Sequence, residues 1–587
     1  MVADDSRPET GPRHEAQRRA SPAWPVFLLV VAGYLLTVLV FYPGYVTVDA
    51  RYVYADARAW QLGDWQSPVM GVLWLLIDPI APGALSMFLL TATLYWLGFG
   101  LLALVAARRS LALALLTPLL AFVPPTFVFV GMVWRDILFG VIWLAAATLA
   151  FAVAERNNLA LWRTRWPIQT VALLLIALGV LLRPNAIFAA PLLATYAVWP
   201  AHFDLKRMAL LLIPGVVVFY ALVPLVYYGV LDAKRQNPLH SILVFDLGGI
   251  THFSGENQFP VAWSADQAAL LTGKCYDPVR WDSYWHVPPC PFVMQRLERP
   301  DDVIFGTPRL VAAWWHAVAA HPLAYLEHRA TFMWQFLARS NLVLPVWDWL
   351  DPNSAYGHSG YFTPLVALHD ALQPTLLFRP GLWLLAAAAV LGLAWRTRAT
   401  PAGAFAVSVT ASAIVYVMTF FAVGVAADFR YAYWCVLATL TGAVAAALTS
   451  KASGQRGNSI VRGPDTRPEP GSSARAVLAR YEQSAELGEA EGGRGFCSRR
   501  RRTPPVSATT LSMIACPSSA DAACASPIAP LAVRRGSSVR HGKLTPRSKI
   551  NAEMASLSGG GPGAAIMFRR TRCGASASMT EVSLLPP

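Results

Sequence analysis

Apolar residues run along this chain in long blocks rather than at every third or fourth position. A helix needs about 20 apolar residues, with a range of roughly 17–25, to cross a hydrocarbon core. Blocks of that kind fall at 24–42, 84–106, 111–130, 137–154, 168–182, 186–200, 208–231, 376–395, 403–425 and 431–449. The pair 168–182 and 186–200 is short and also fits one broken hairpin. The stretch 70–80 is too short to cross and is expected to lie at the interface. The pattern predicts an all-α polytopic membrane protein with about ten transmembrane helices. Composition agrees: 55% of the 587 residues are hydrophobic and 14% are charged.

The polar intervals orient the chain. Basic residues cluster before the first block (Arg13, Arg18, Arg19), at Arg108 and Arg109, and at Arg156, Arg163 and Arg165. They recur at Lys206 and Arg207, at Arg396 and Arg398, and after the last block. With ten spans and a cytoplasmic N-terminus, every one of these clusters falls inside, as the positive-inside rule requires. Both termini are then cytoplasmic. Residues 1–23 form a cytoplasmic segment with no small-residue cleavage site after the first block, so that block is read as a retained helix. An N-terminal bundle follows at 24–231, with a first external loop at 43–83. Residues 232–375 are far too long for a connector and predict an extracytoplasmic loop domain. Within it, 308–340 has helical content, interrupted at His321–Pro322, and its aromatic residues suit helices resting on the membrane surface. Helices at 376–449 complete the bundle.

Charge changes the picture only at the end of the chain. Of the net +14, most belongs to 451–587, which holds 20 Lys+Arg against 9 Asp+Glu; the other 450 residues hold 28 against 25. Residues 450–587 are rich in Ser, Ala, Arg, Gly and Pro without apolar periodicity, and predict a disordered basic cytoplasmic tail. The basic balance is therefore no nucleic-acid signal. The seven cysteines show no metal-ligand spacing. Cys275 and Cys290 bracket a Pro- and Trp-rich loop on the expected oxidising side, where pairing and two unrelated thiols both remain open.

Candidate chemistry gathers on the outer side. Asp49, Asp56, Asp64, Arg135, Asp136, Arg183, Asp428 and Arg430 all fall at outer helix ends or in outer loops. Ionisable groups at a membrane edge are costly and usually face a cavity or a partner. If 49–58 is helical, Asp49 and Asp56 share a face about 10 Å apart along the axis. Oxygen ligands of one ion sit about 2–2.6 Å from it, so these two acids do not chelate together. A lone carboxylate suits a general base, and an N-terminal helix cap after "PGYVTV" is the alternative for Asp49. The three arginines suit phosphate oxygens, which a guanidinium grips bidentately; a snorkelling interfacial anchor is the alternative for each.

Together "YPGYVTVD", "DWQSPVMGVLW", "WRDILFG", "LRPNAI", "HPLAYLEHR" and "DFRYAY", in that order, resemble bacterial integral-membrane glycosyltransferases of the GT-C fold. The resemblance covers roughly 24–449. It implies a sugar donor carried on a polyprenyl phosphate, a lipid or glycan acceptor bound from the outside, inversion at the anomeric carbon, and a location in the bacterial cytoplasmic membrane among membrane lipid. Asp49 matches the family's acid of the first external loop, with Asp64 as a second catalytic candidate. Arg135 and Asp136 match the second external loop, where donor phosphate contacts are expected; Asp56, Arg183, Asp428 and Arg430 complete the expected substrate-binding set. Family members often carry a paired acid in the first loop. It is missing here, so no cofactor is called for and a divalent metal is left open.

Two other classes fit a polytopic chain with outer charges. A transporter or flippase of lipid-linked glycans would place charges at mid-membrane depth and often show an internal repeat, and neither is evident. An O-antigen-type polymerase or ligase would use a pyrophosphate-linked donor and depend less on Asp49.

Overall fold

The computed structural model describes residues 23–155, 162–339 and 359–461. The chain is an all-α polytopic membrane protein. Among the described residues there is no strand, and the β-bridges are three isolated ones. Among the described residues seven helices are long and apolar enough to cross a membrane: Ala23–Phe41, Ala84–Ala107, Arg135–Ala154, Arg165–Leu182, Leu205–Val230, Pro401–Val423 and Phe429–Thr449.

Three of the ten expected spans come out shorter, and in each a proline stands at or near the interruption. The block 111–130 forms the 10-residue helix Leu111–Leu120, which contains Pro118, and restarts at Pro124 as a separate four-residue turn. The block 186–200 opens with the 3-10 turn Pro184–Phe188 and leaves only Ala190–Val198 as α-helix. The block 376–395 begins as the 3-10 turn Leu376–Phe378, so its α-helix starts at Pro380 and ends at Trp395. A proline ring removes one backbone donor and clashes with the preceding turn, which is tolerated at a helix start but interrupts a helix interior.

Ala84–Ala107, Arg135–Ala154 and Trp162–Leu182 pack side by side, with Ala23–Phe41 against the first of them. Small residues set the approach. A Cβ at Gly98 would run into Leu144, and one at Gly179 into the Trp143 indole. Without a hydrophobic force between helices in lipid, such close backbone contact supplies the dispersion energy that holds a bundle. Leu205–Val230 behaves differently: Leu210, Ile213, Val217, Val218 and Tyr220 all point outward. An apolar exposed face of this kind suits a helix whose surroundings are hydrocarbon.

The long segment after Val230 folds as helices Leu239–Ser254, Pro308–Ala320 and Pro322–Arg339, the last two broken where His321–Pro322 predicts. Its centre is charged and fully buried. Asp246 accepts from the Trp314 indole at 2.7 Å and pairs with Arg329 at 2.6 Å and His328 at 3.2 Å. Arg329 also donates to the Gly424 carbonyl at 2.7 Å, just past the end of Pro401–Val423. This one side chain therefore ties the loop helices to a membrane helix. Cys275 and Cys290 form a disulfide, which settles the pairing left open by the sequence.

Helix Tyr433–Val461 runs past 449, and the expected tail beyond 461 lies outside the described residues, as does 340–358.

Breaking a buried ion pair from one side strands the other charge and costs about 3–5 kcal/mol. Arg329→Met is expected to lower the melting temperature of the purified protein sharply and to speed proteolysis of 232–339. An unchanged melting curve would contradict this role.

Candidate functional site

The loop after Phe41 is fastened by its backbone. Tyr45 donates to the Gly131 carbonyl at 3.0 Å, and its own carbonyl accepts from Val133 at 2.8 Å. Gly44, at φ +102°, makes the preceding turn in a region open to glycine. These bonds set the start of helix Val48–Arg58 beside the start of Arg135–Ala154. Thr47 occupies the N-cap position, and its hydroxyl accepts from the Trp134 indole at 2.8 Å. Asp49 is thus in the first turn and not the cap residue. Its side chain is 49% exposed.

Four distant segments meet here. Asp428 accepts from the Arg430 amide at 3.0 Å and pairs with the Arg430 guanidinium at 2.9 Å. The same guanidinium lies 3.6 Å from Asp49 and 3.9 Å from Asp136. Asp136 pairs with Arg183, which follows the end of Trp162–Leu182 at the break before Pro184. Arg430 rests over Trp134 at 4.8 Å, and Arg183 over Tyr431 at 4.7 Å. Aromatic faces attract such cations, the more so when desolvated. Arg135 donates to the Trp65 carbonyl at 3.3 Å and has no carboxylate partner among the described residues. The six charged groups balance, three of each sign, which makes their burial affordable only as a set.

A cleft of ≈ 290 Å³, counting space open to solvent, is lined by Asp49, Gln66, Trp134, Arg135, Asp136 and Arg430 among others. Of the expected site residues, Asp49, Arg135, Asp136, Arg183, Asp428 and Arg430 are together. Asp56 and Asp64 are not. Asp56 lies further along its helix, where burial raises its carboxyl above the ordinary value against the pull of Lys234. Asp64 is buried and accepts from the Tyr228 hydroxyl at 2.7 Å and the Gln236 amide at 2.6 Å. Trp134, Gln66 and Tyr431 were not singled out from the sequence. Trp134 and Tyr431 adjoin chosen arginines, so pairing each arginine with its aromatic neighbour was the available signal.

The donor set does not fit a divalent cation. The three carboxylates converge on the Arg430 guanidinium, which stands where an ion with oxygen ligands at about 2.0–2.6 Å would have to sit. Among the described residues no group of three His, Cys, Asp or Glu is placed to hold a metal.

No family model matches the chain. No curated protein matches it either. Among solved structures it is similar to the archaeal oligosaccharyltransferase AglB from Archaeoglobus fulgidus, a complex with an inhibitory peptide and a dolichol-phosphate. Identity is 14% and the TM-score 0.32, over 80% of this chain and 54% of that one. The chain spans about half the length of that protein, and a likeness this distant establishes neither fold nor activity.

Manganese titrated into the purified wild-type protein is expected to stay free by electron paramagnetic resonance. Arg430→Ala, which leaves three carboxylates facing one another, should gain a bound signal. A bound wild-type signal that Asp49→Asn abolishes would overturn the reading of Arg430 as the resident cation.

Proposed function

We propose that the chain is a multi-pass membrane glycosyltransferase of the GT-C type, moving a sugar from a polyprenyl-phosphate donor to an acceptor hydroxyl with inversion. One observation carries this reading. The cleft holds a half-exposed carboxylate, Asp49, beside Arg135, an arginine with no carboxylate partner among the described residues. That is the pair of charges a displacement from a lipid phosphate uses. The GT-C-like order of motifs along 24–449 supports the same reading.

In the proposed step Asp49 takes the proton of the acceptor hydroxyl as its oxygen bonds to the anomeric carbon. The bond from that carbon to the phosphate oxygen breaks, its electron pair leaves with the phosphate, and Arg135 meets the charge. Water later takes the proton from Asp49. The products are an inverted glycoside and polyprenyl phosphate. No metal enters the step. Arg430 orients Asp49, while Asp136, Arg183 and Asp428 hold Arg430. Asp56 is assigned to a more remote part of the acceptor, and Asp64 to securing the loop that carries Trp65 and Gln66.

The cluster sits at helix ends: after Phe41, before Arg135, after Leu182 and before Tyr433. A transport path would instead place charges at mid-depth. We assign the cleft to the extracytoplasmic side of the bacterial cytoplasmic membrane, with both termini inside and the three shorter helices completing ten crossings with their adjoining turns. The region 24–231 is then the bundle bearing the catalytic loop, 232–375 the external domain, and 376–449 the closing helices.

General-base help is worth roughly 10²–10⁴ in rate, and one donor to developing charge about 10²–10³. Asp49→Asn and Arg135→Gln should fall by those factors without loss of folded protein. Mass spectrometry of glycolipids and envelope glycans from a deletion strain tests this. A hexose- or pentose-sized mass should vanish in the deletion and return with wild type only. Its full return with Asp49→Asn would remove Asp49 as the base, and an unchanged glycan profile in every strain would remove the enzyme reading.

A further inference from the structure

Three tryptophans from two separate segments meet beside Gln66 and Arg135, which line the cleft. Trp65 lies 5.8 Å from Trp281 and 5.2 Å from Trp285, and the latter two are 5.2 Å apart. Interplanar angles of 45°, 74° and 45° make a corner rather than a stack. Trp281 is buried, while Trp65 and Trp285 are half-buried. Their placement is firm. The Trp65 carbonyl accepts from Arg135, its amide donates to the Gln236 side chain at 2.9 Å, and its neighbour Gln66 lines the cleft. Trp281 donates its amide to the Val425 carbonyl at 2.9 Å, and Ala427 donates to Val279 at 2.7 Å, immediately before Asp428. The Cys275–Cys290 disulfide closes the loop that carries Trp281 and Trp285.

Their indole N–H groups stand apart from the rest of the protein. Every other buried or half-buried tryptophan among the described residues donates its indole N–H to a protein oxygen. The three at the cleft donate theirs to nothing among the described residues. Indole is a donor with no acceptor capacity, and these three N–H groups are not among the buried unpaired atoms, so they stand open to an incoming acceptor. A structural aromatic cluster needs its faces packed and gains nothing from free N–H groups. A ligand with apolar faces and several hydroxyl oxygens uses both. Asp282, between Trp281 and Trp285, is also near enough to Asp49 to feel its charge.

We propose that Trp65, Trp281 and Trp285 form a sugar-binding corner and that the acceptor is a carbohydrate, its C–H face packed on the indoles and its attacking hydroxyl turned toward Asp49. Asp282 accepts from a further hydroxyl of the same ring. This rests on the glycosyltransferase reading and selects the glycan over the lipid headgroup or protein hydroxyl as its acceptor.

The test is saturation-transfer NMR on the purified full chain in detergent. The probes are methyl glycosides of glucose, galactose, mannose, N-acetylglucosamine, rhamnose and arabinose, with a serine- and threonine-containing peptide beside them. At least one glycoside should receive transfer, strongest at the C–H protons of one ring face. Trp285→Ala should weaken its binding about tenfold, and Trp285→Phe less because the face survives. Transfer to no glycoside, transfer to the peptide alone, or equal binding by Trp285→Ala would each overturn the corner. If Trp285→Ala loses sugar binding while Asp49→Asn still restores the cellular glycan, the corner stands and the assignment of Asp49 fails.

Discussion

Arg430 is the group around which this protein's candidate site is organised. Its guanidinium takes Asp428 from its own turn, Asp49 from the first loop and Asp136 from the start of a membrane helix, and Asp136 in turn takes Arg183. Moving one such ion out of water costs several kcal/mol, and two or three are tolerated only if each meets its counter-charges at once. The cluster consequently forms as a whole or not at all. That requirement fixes the relative positions of four helix ends, and those ends define the cleft. Asp49, the outermost carboxylate of the four segments, keeps enough exposure to meet a substrate.

The helices between Val230 and Arg339 are joined to this frame by the same kind of interaction. Arg329 satisfies Asp246 on one side and the Gly424 carbonyl on the other, so these helices and the end of Pro401–Val423 share one buried cation. Two backbone bonds between 279–281 and 425–427 repeat the link nearer the cleft. Between them they hold the disulfide-closed loop against the segment that carries Asp428 and Arg430. Segments that sequence separates by more than a hundred residues therefore bound one small space. Polar groups in such a frame are also its points of failure, because a lost partner leaves a buried charge behind.

Much of this was legible in the chain. Block hydrophobicity is a local property, and it determined the all-α membrane class and the main helices. The break at His321–Pro322 was equally local, whereas the helix over 49–58 was only a supposition until the structure gave Val48–Arg58. Charges near helix ends at Asp49, Arg135, Asp136, Arg183, Asp428 and Arg430 stood out because a membrane edge penalises ions that have no purpose there. Proline inside the shorter blocks was visible too, but an apolar count does not register it, so 111–130, 186–200 and 376–395 read as longer helices than they form.

What the sequence determined by itself, then, was which segments are helical, which side chains are costly, and where along the chain they fall. Only the tertiary structure decided which costly groups share a site. Asp56 and Asp64 have the same chemistry as Asp49 and lie in the same loop, yet Asp64 is spent on Tyr228 and Gln236, and Asp56 faces Lys234. Three tryptophans whose indoles have no partner among the described residues came together from positions 65, 281 and 285 through backbone bonds that no local pattern announces. The physical reason is the range of the forces. Helix formation and membrane partition act over a few consecutive residues, whereas ion pairing and ring packing act across space between residues that only the packed bundle makes neighbours.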